Sequence, residues 1–131
     1  MSTNYSVEVE SFAERHFIKN LKKKYKNAWE VTWRAVVEEF KRIDSLIKET
    51  KIAETIVDLA EVKIVKTQFR VVGTNESRKS SGNRCIVAVY KTTSTIHVLL
   101  VYHKNDLNSA NETACWKQLV KESYPQYARL L

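Results

Sequence analysis

Glycine and proline are scarce in this chain of 131 residues, which has two glycines and one proline. That excludes a collagen-like or linker-dominated chain. No Pro/Gly/Ser-rich linker and no internal repeat interrupts the sequence, so one domain over residues 1–131 is expected. Cysteine is scarce too. Cys85 and Cys115 stand alone, with no C-x-x-C pair. This argues against a disulfide framework, and it fits a reducing cytoplasm in which both thiols are small buried apolar groups. No Cys/His/Asp cluster has metal-ligand spacing, so neither a metal nor another cofactor is expected. No apolar run is long enough to cross a bilayer. The start, M-S-T-N-Y-S-V-E-V-E, lacks a basic segment followed by an apolar one. Neither a signal peptide nor a membrane partner is expected.

Positive charge, by contrast, is abundant and unevenly placed. The net charge is +7. Residues 1–62 balance eleven cations with eleven carboxylates, and residues 105–131 balance three with three. Residues 63–104 hold eight Lys/Arg against Glu76 alone. The whole excess therefore falls in one third of the chain. A charge kept for solubility would be spread out, whereas a segregated one reads as the footprint of a polyanion. Nucleic acid is the first candidate and an acidic protein the second.

The apolar pattern gives the order of elements. Tyr5, Val7 and Val9 alternate with polar residues, as in a strand. Ser11 and Glu14 have capping-box spacing, and Phe12, Phe17, Ile18, Leu21 and Tyr25 mark a helix to about Tyr25. Its end, K-N-L-K-K-K-Y-K, suits the negative pole of a helix dipole. It reads first as a solvated helix end and second as an additional RNA-contact patch. Asn27 and Glu30 repeat the cap spacing. Trp29, Trp33, Val36 or Val37, Phe40, Ile43 and Ile47 then predict an amphipathic helix of about five turns, with both tryptophans in the core. Residues 50–60 fit either a helical turn or a strand. Residues 62–72 read as a strand ending at Gly73, residues 74–83 as a loop, and 84–90 and 95–102 as two more strands. His97 in the last strand reads as structural. Ser109 and Glu112 open a helix to about Glu122, which Tyr124-Pro125 ends. The result is an α+β domain with an N-terminal strand, a helical hairpin, an antiparallel three-strand meander and a C-terminal helix. With all helices on one side, the other sheet face would be free to carry the charge.

Residues 77–84, S-R-K-S-S-G-N-R, use one of the two glycines between Lys79 and Arg84. Small residues let a backbone approach a phosphate while cations flank it. In a meander the end of one strand lies beside the start of the next. Arg70, the Arg78-Lys79-Arg84 stretch and Tyr102-His103-Lys104 are therefore expected to converge.

The stretches Q-F-R-V-V-G, S-R-K-S-S-G-N-R-C-I-V-A-V-Y and I-H-V-L-L-V-Y-H-K-N-D resemble the RelE/HigB group of bacterial toxins of type II toxin–antitoxin modules. Arg70 matches the arginine of a K-x-R strand. Lys79-Ser80-Ser81-Gly82-Asn83-Arg84 matches K-S-G-G-x-R, and Leu99–Asp106 matches L-L-x-x-Y-x-K-s-D. Gln68 stands where many members have lysine, and Ser81 replaces the first glycine of the pair. The motifs span about residues 66–106, and the order of elements extends the likeness over most of the chain. The resemblance implies a metal-free endoribonuclease that cleaves messenger RNA, mostly on the ribosome, and is blocked by a cognate antitoxin. Such chemistry needs cations on the phosphorane and a proton donor and acceptor. It assigns Arg70 and Arg84 to the phosphate and transition state, and His103, with Tyr102, to proton transfer. Lys66, Arg78, Lys79 and Lys104 would bind the RNA backbone. Two other readings share these residues. One is a ParE-like gyrase inhibitor, which would not need His103. The other is a non-catalytic RNA- or ribosome-binding protein, favoured by Gln68 and Ser81.

Overall fold

Residues 83–90, N-R-C-I-V-A-V-Y, are buried at every position but the last. A strand covered on both faces shows no polar alternation. The computed structural model, which describes residues 4–107 and 110–131, shows what covers this one. The order is β1 (Ser6–Val9), α1 (Ser11–Ala13), a π-helical turn (Glu14–Ile18), α2 (Lys19–Tyr25), α3 (Asn27–Phe40) and α4 (Ile43–Glu49). Then come β2 (Ala53–Asp58), β3 (Lys63–Phe69), α5 (Arg78–Ser81), β4 (Asn83–Tyr90) and β5 (Thr95–His103). A 3-10 turn (Lys104–Leu107), α6 (Glu112–Ser123) and a 3-10 segment (Pro125–Leu130) complete the chain.

The five strands lie in the order β1-β5-β4-β3-β2. β2 to β5 are antiparallel neighbours, and β1 pairs with β5 in parallel. The fold is α+β as expected, and the ambiguous stretch 50–60 adds a fourth strand to the meander. Ile18, Leu21, Trp29, Val36, Phe40 and Ile43 pack on one sheet face, against Val65, Phe69, Cys85, Val87, Val98 and Val101. Trp116, Val120, Tyr124 and Tyr127 pack on the other, against Ile64, Ile86, Ala88, Leu100 and Tyr102. No sheet face is left free for charge, contrary to the expectation. The C-terminal helix takes the face that the hairpin leaves uncovered, because alternate residues of β3, β4 and β5 are apolar in both directions.

Several local expectations also change. The Ser11 and Asn27 boxes do not form. The residues before these helices, Glu10 and Lys26, make no side-chain cap. Lys26 instead takes φ +51, and the chain reverses there into α3. The five-turn helix breaks at Arg42 (φ −118, ψ 41) into α3 and α4. Ser109 lies outside the described residues, and Asn111 caps α6 by accepting from the Ala114 N–H at 3.1 Å. A box does form where a plain loop was expected: Ser77 Oγ accepts from Ser80 N, and Ser80 Oγ accepts from Ser77 N.

His97 does serve structure. Its Nδ1 lies 2.9 Å from Glu10 Oε1 and 3.6 Å from Glu8 Oε2, tying β5 to β1 and to the chain beyond it. Cys85 is fully buried, and burial pushes its thiol well above the ordinary value.

Trp116 is the largest side chain that α6 lays on its sheet face, and it is fully buried. Trp116→Ala is expected to cost about 3–5 kcal/mol in urea unfolding. Val31→Ala, at a half-exposed position, should stay within about 0.5 kcal/mol. A neutral Trp116→Ala would contradict the covered second face.

Candidate nucleic-acid interface

At the end of the sheet where β3 and β5 finish, β4 begins. Gln68, Arg84 and Tyr102 form one cross-strand row, and Phe69, Asn83 and His103 the next. Successive residues point to opposite faces. The first row therefore lies on the α6 side and the second on the hairpin side.

Arg84 is 6% exposed. Its Nη1 donates to the carbonyls of Asn83 (2.9 Å) and Arg78 (3.3 Å), and its Nη2 to that of Lys79 (3.0 Å). The last carbonyls of a helix lack intrahelical partners, and a cation suits that end of the dipole. Arg84 therefore braces the short helix α5, using three of its five N–H groups. Ser81 adds a second brace. Its hydroxyl lies within bonding distance of the Phe69 and Arg78 carbonyls and accepts from the Asn83 N–H.

Gly82 follows α5 at φ +78, in the left-handed region. A Cβ built there would lie 2.6 Å from His103 Nε2 and 2.8 Å from Cε1. The imidazole thus rests on the glycine. Lys104 N donates to Gly82 O at 2.9 Å, so the two motif stretches meet through the backbone. Asn105 N donates to His103 Nδ1 at 3.1 Å. With Nδ1 as acceptor, the neutral ring carries its proton on Nε2, the atom beside Gly82.

Tyr102 is 1% exposed and donates to Glu112 Oε2 at 2.7 Å. Burial, then the bond to Glu112, pushes its phenol well above the ordinary value. It is a fixed neutral donor, and its ring is not open for stacking. Lys66 Nζ lies 2.7 Å from the same Glu112 oxygen. Burial alone would raise the Glu112 carboxyl, but the bonds from Lys66 and Tyr102, with the charges of Lys66 and Arg84, hold it below the usual glutamate range.

Arg70 and Arg78 lie on the hairpin side, where they line a cavity of about 170 Å³ with Glu39. Arg78 Nη1 is 3.0 Å from Glu39 Oε2, while exposed Arg70 makes, among the described residues, a long 3.5 Å contact to the Glu76 carbonyl. Lys79 and Lys104 are exposed at the rim, with no ion pair to a described residue. The expected convergence is therefore partial. Lys79, His103 and Lys104 share the rim around Gly82, and Arg84 lies behind them. The sheet divides Lys66 and Tyr102 from Arg70 and Arg78. Lys63 and Lys91 lie at the opposite end of the strands, where Lys63 pairs with Val89.

Glu112 and Glu39 escaped the sequence reading as parts of this region. The only signal for Glu112 was its spacing from Ser109, and that pointed to a cap. Among the described residues, no group of three or more His, Cys, Asp or Glu is placed to hold a metal ion, and no helix is long and apolar enough to cross a membrane.

Glu112→Gln should lower stability by about 1–3 kcal/mol at pH 7, because it leaves Lys66 without its counter-charge. The folded-state carboxyl titrates below its ordinary 4.5. Its contribution is thus full above that value and is lost as pH falls through the folded value. Urea midpoints of the two proteins should converge toward acid pH, and a gap constant with pH would contradict the assignment. Gly82→Ala should cost about 1–2 kcal/mol for its left-handed backbone. It should also displace the imidazole, seen as a changed His103 Hε1 NMR resonance. An unmoved resonance would contradict the packing.

No protein-family model matches the chain, and no curated protein matches it in sequence. Among solved structures it is similar to a chain of the archaeal RelE-RelB complex from Pyrococcus horikoshii OT3. The likeness has a TM-score of 0.47 at 14% identity, over 79% of this chain and 96% of that one.

Proposed function

We propose that this chain is the toxin of a type II toxin–antitoxin module: a metal-free endoribonuclease of the RelE kind that cleaves messenger RNA on the ribosome, in the cytoplasm, and is held in check by a cognate antitoxin. One observation carries the reading. The K-S-S-G-N-R and Y-H-K-N-D stretches are joined at the rim by the Lys104 N–H to Gly82 carbonyl bond, with His103 resting on the glycine between two exposed lysines that form no ion pair with a described residue.

The chemistry this rim would serve is transesterification. The RNA 2′-oxygen attacks the adjacent phosphorus while a base takes its proton. The P–O5′ bond breaks, and an acid protonates the departing 5′ oxygen, leaving a 2′,3′-cyclic phosphate and a 5′-hydroxyl. Lys79 and Lys104 would hold the phosphates as point charges. His103 Nε2–H would donate to the phosphorane or, from the imidazolium, to the leaving oxygen. The remaining N–H groups of Arg84, with Arg70 at the edge, would stabilise the phosphorane charge. Tyr102, fixed against Glu112, would act by holding this end of β5. Lys66 and Arg78 would serve longer-range attraction, since each already faces a carboxylate. The exposed cations are also the surface that an acidic antitoxin segment would cover.

The commitment of Arg84 to backbone carbonyls and the burial of Tyr102 favour one second reading, a rim that binds RNA without cutting it. The test is cleavage of messenger RNA by the purified chain, with and without ribosomes. His103→Ala should lower the rate at least about 100-fold. The double variant Lys79→Ala/Lys104→Ala should weaken RNA binding and flatten its log–log salt dependence by about 1.4, two single-strand phosphate contacts. Cleavage unchanged in His103→Ala would refute its role. Binding without cleavage in every setting would establish the second reading.

A further inference from the structure

β5 pairs with β1 only as far as Val98. There Glu10 N donates to the Val98 carbonyl, and the chain turns into α1, the π-helical turn and α2, which run past the rest of β5. A cavity of about 370 Å³ lies between this helix and the end of β5. Its apolar floor is Phe17, Leu21 and Val101, and Tyr102 also lines it. Its mouth is polar, with His16, Asn20 and Lys24 from the helix and Asp106 from the turn after β5. None of these four enters the proposed catalytic rim.

The three helical residues recur at four-residue intervals, so they form one stripe along the cleft. His16 is oriented by Phe12, with ring centroids 4.4 Å apart and planes tilted by 33°. It comes from the π-helical turn, a rare local widening that occurs most often at functional sites. Asn20 presents a donor and an acceptor together, and Asp106 adds an acceptor. A carboxylate would repel a bare phosphate, but it accepts from the N–H groups of a base edge. The volume lies within the roughly 300–1,000 Å³ of small-ligand clefts. Sequence-selective RNA binding uses such sites, because an unstacked base offers both a face and an edge. Lys19 and Lys23 on α2, and Lys26 just after it, are exposed as well.

Resting on the ribonucleolytic reading above, we propose that this cleft is a base-binding subsite for a nucleotide of the single-stranded RNA that crosses the rim. Asn20 and Asp106 read the edge of the base, His16 stacks on its face, and Lys24 holds its phosphate.

The test is NMR titration of the isotope-labelled full chain with each of the four nucleoside 5′-monophosphates. Shifts are expected at the cleft residues His16, Asn20, Leu21, Lys24, Val101 and Asp106, larger for some bases than for others. Asn20→Ala should abolish that difference among bases, and Lys24→Ala should weaken all four nucleotides about tenfold, the loss of one charge-assisted bond. Shifts confined to the rim, or equal for all four bases in the wild-type chain, would overturn the subsite. The titration involves no cleavage, so the two readings fail separately. A chain that cuts RNA while its cleft stays silent overturns the subsite alone. A chain that cuts no RNA yet shows base-dependent shifts in the cleft keeps the subsite and overturns the nuclease.

Discussion

The buried guanidinium of Arg84 holds together the end of the sheet that carries the proposed RNA-contacting rim. It sits where α5, the start of β4 and the end of β5 meet, and it satisfies the carbonyls of Arg78, Lys79 and Asn83. A helix of four residues cannot pair its own last carbonyls. Without Arg84 the part-buried Lys79 carbonyl would lose its donor and the Arg78 carbonyl would keep only the Ser81 hydroxyl among the described residues, which would weaken this turn. With the turn fixed, Gly82 can hold its left-handed conformation, His103 can rest on it, and the backbone of Lys104 can bond to it. The arginine acts through the geometry of its neighbours at least as much as through its charge.

Charge at this end is sorted rather than merely accumulated. Glu112 reaches from the first turn of α6 to Lys66, and Glu39 reaches from α3 to Arg78. Each carboxylate sits on a different face of the sheet, so both flanks are partly neutralised while Lys79 and Lys104 stay open between them. The lysines of α2 carry the positive surface past the cleft beside β5. A polyanion would thus meet an open track along the rim and the helix, not a uniform basic face.

The strands were the most legible part of the sequence. The continuous apolar run of β4 even announced a sheet covered on both faces, although the overall reading left one face bare. Cap spacing was the least reliable guide. Ser11 with Glu14 and Asn27 with Glu30 match the pattern without forming it, since Glu14 pairs with Lys22 and the turn before α3 is made by the backbone of Lys26. The box that does form joins Ser77 to Ser80, without the acidic partner that usually marks such a site. Ser81, which looked like a departure from a glycine motif, is buried and bonded to two segments.

Composition and periodicity by themselves determined the class of fold, the order of its main elements, the excess of positive charge and the pairing of a glycine with nearby cations. Each of these depends on residues close together in the chain. Tertiary structure alone decided which cations are neutralised, because their counter-charges come from residues far away: Glu112 for Lys66 and Glu39 for Arg78. It also placed His103 on Gly82, buried Tyr102, and set Lys24 of a formally neutral segment in the cleft beside β5. These outcomes depend on register and on the packing of α2 and α6 against β5, which a one-dimensional charge count does not contain.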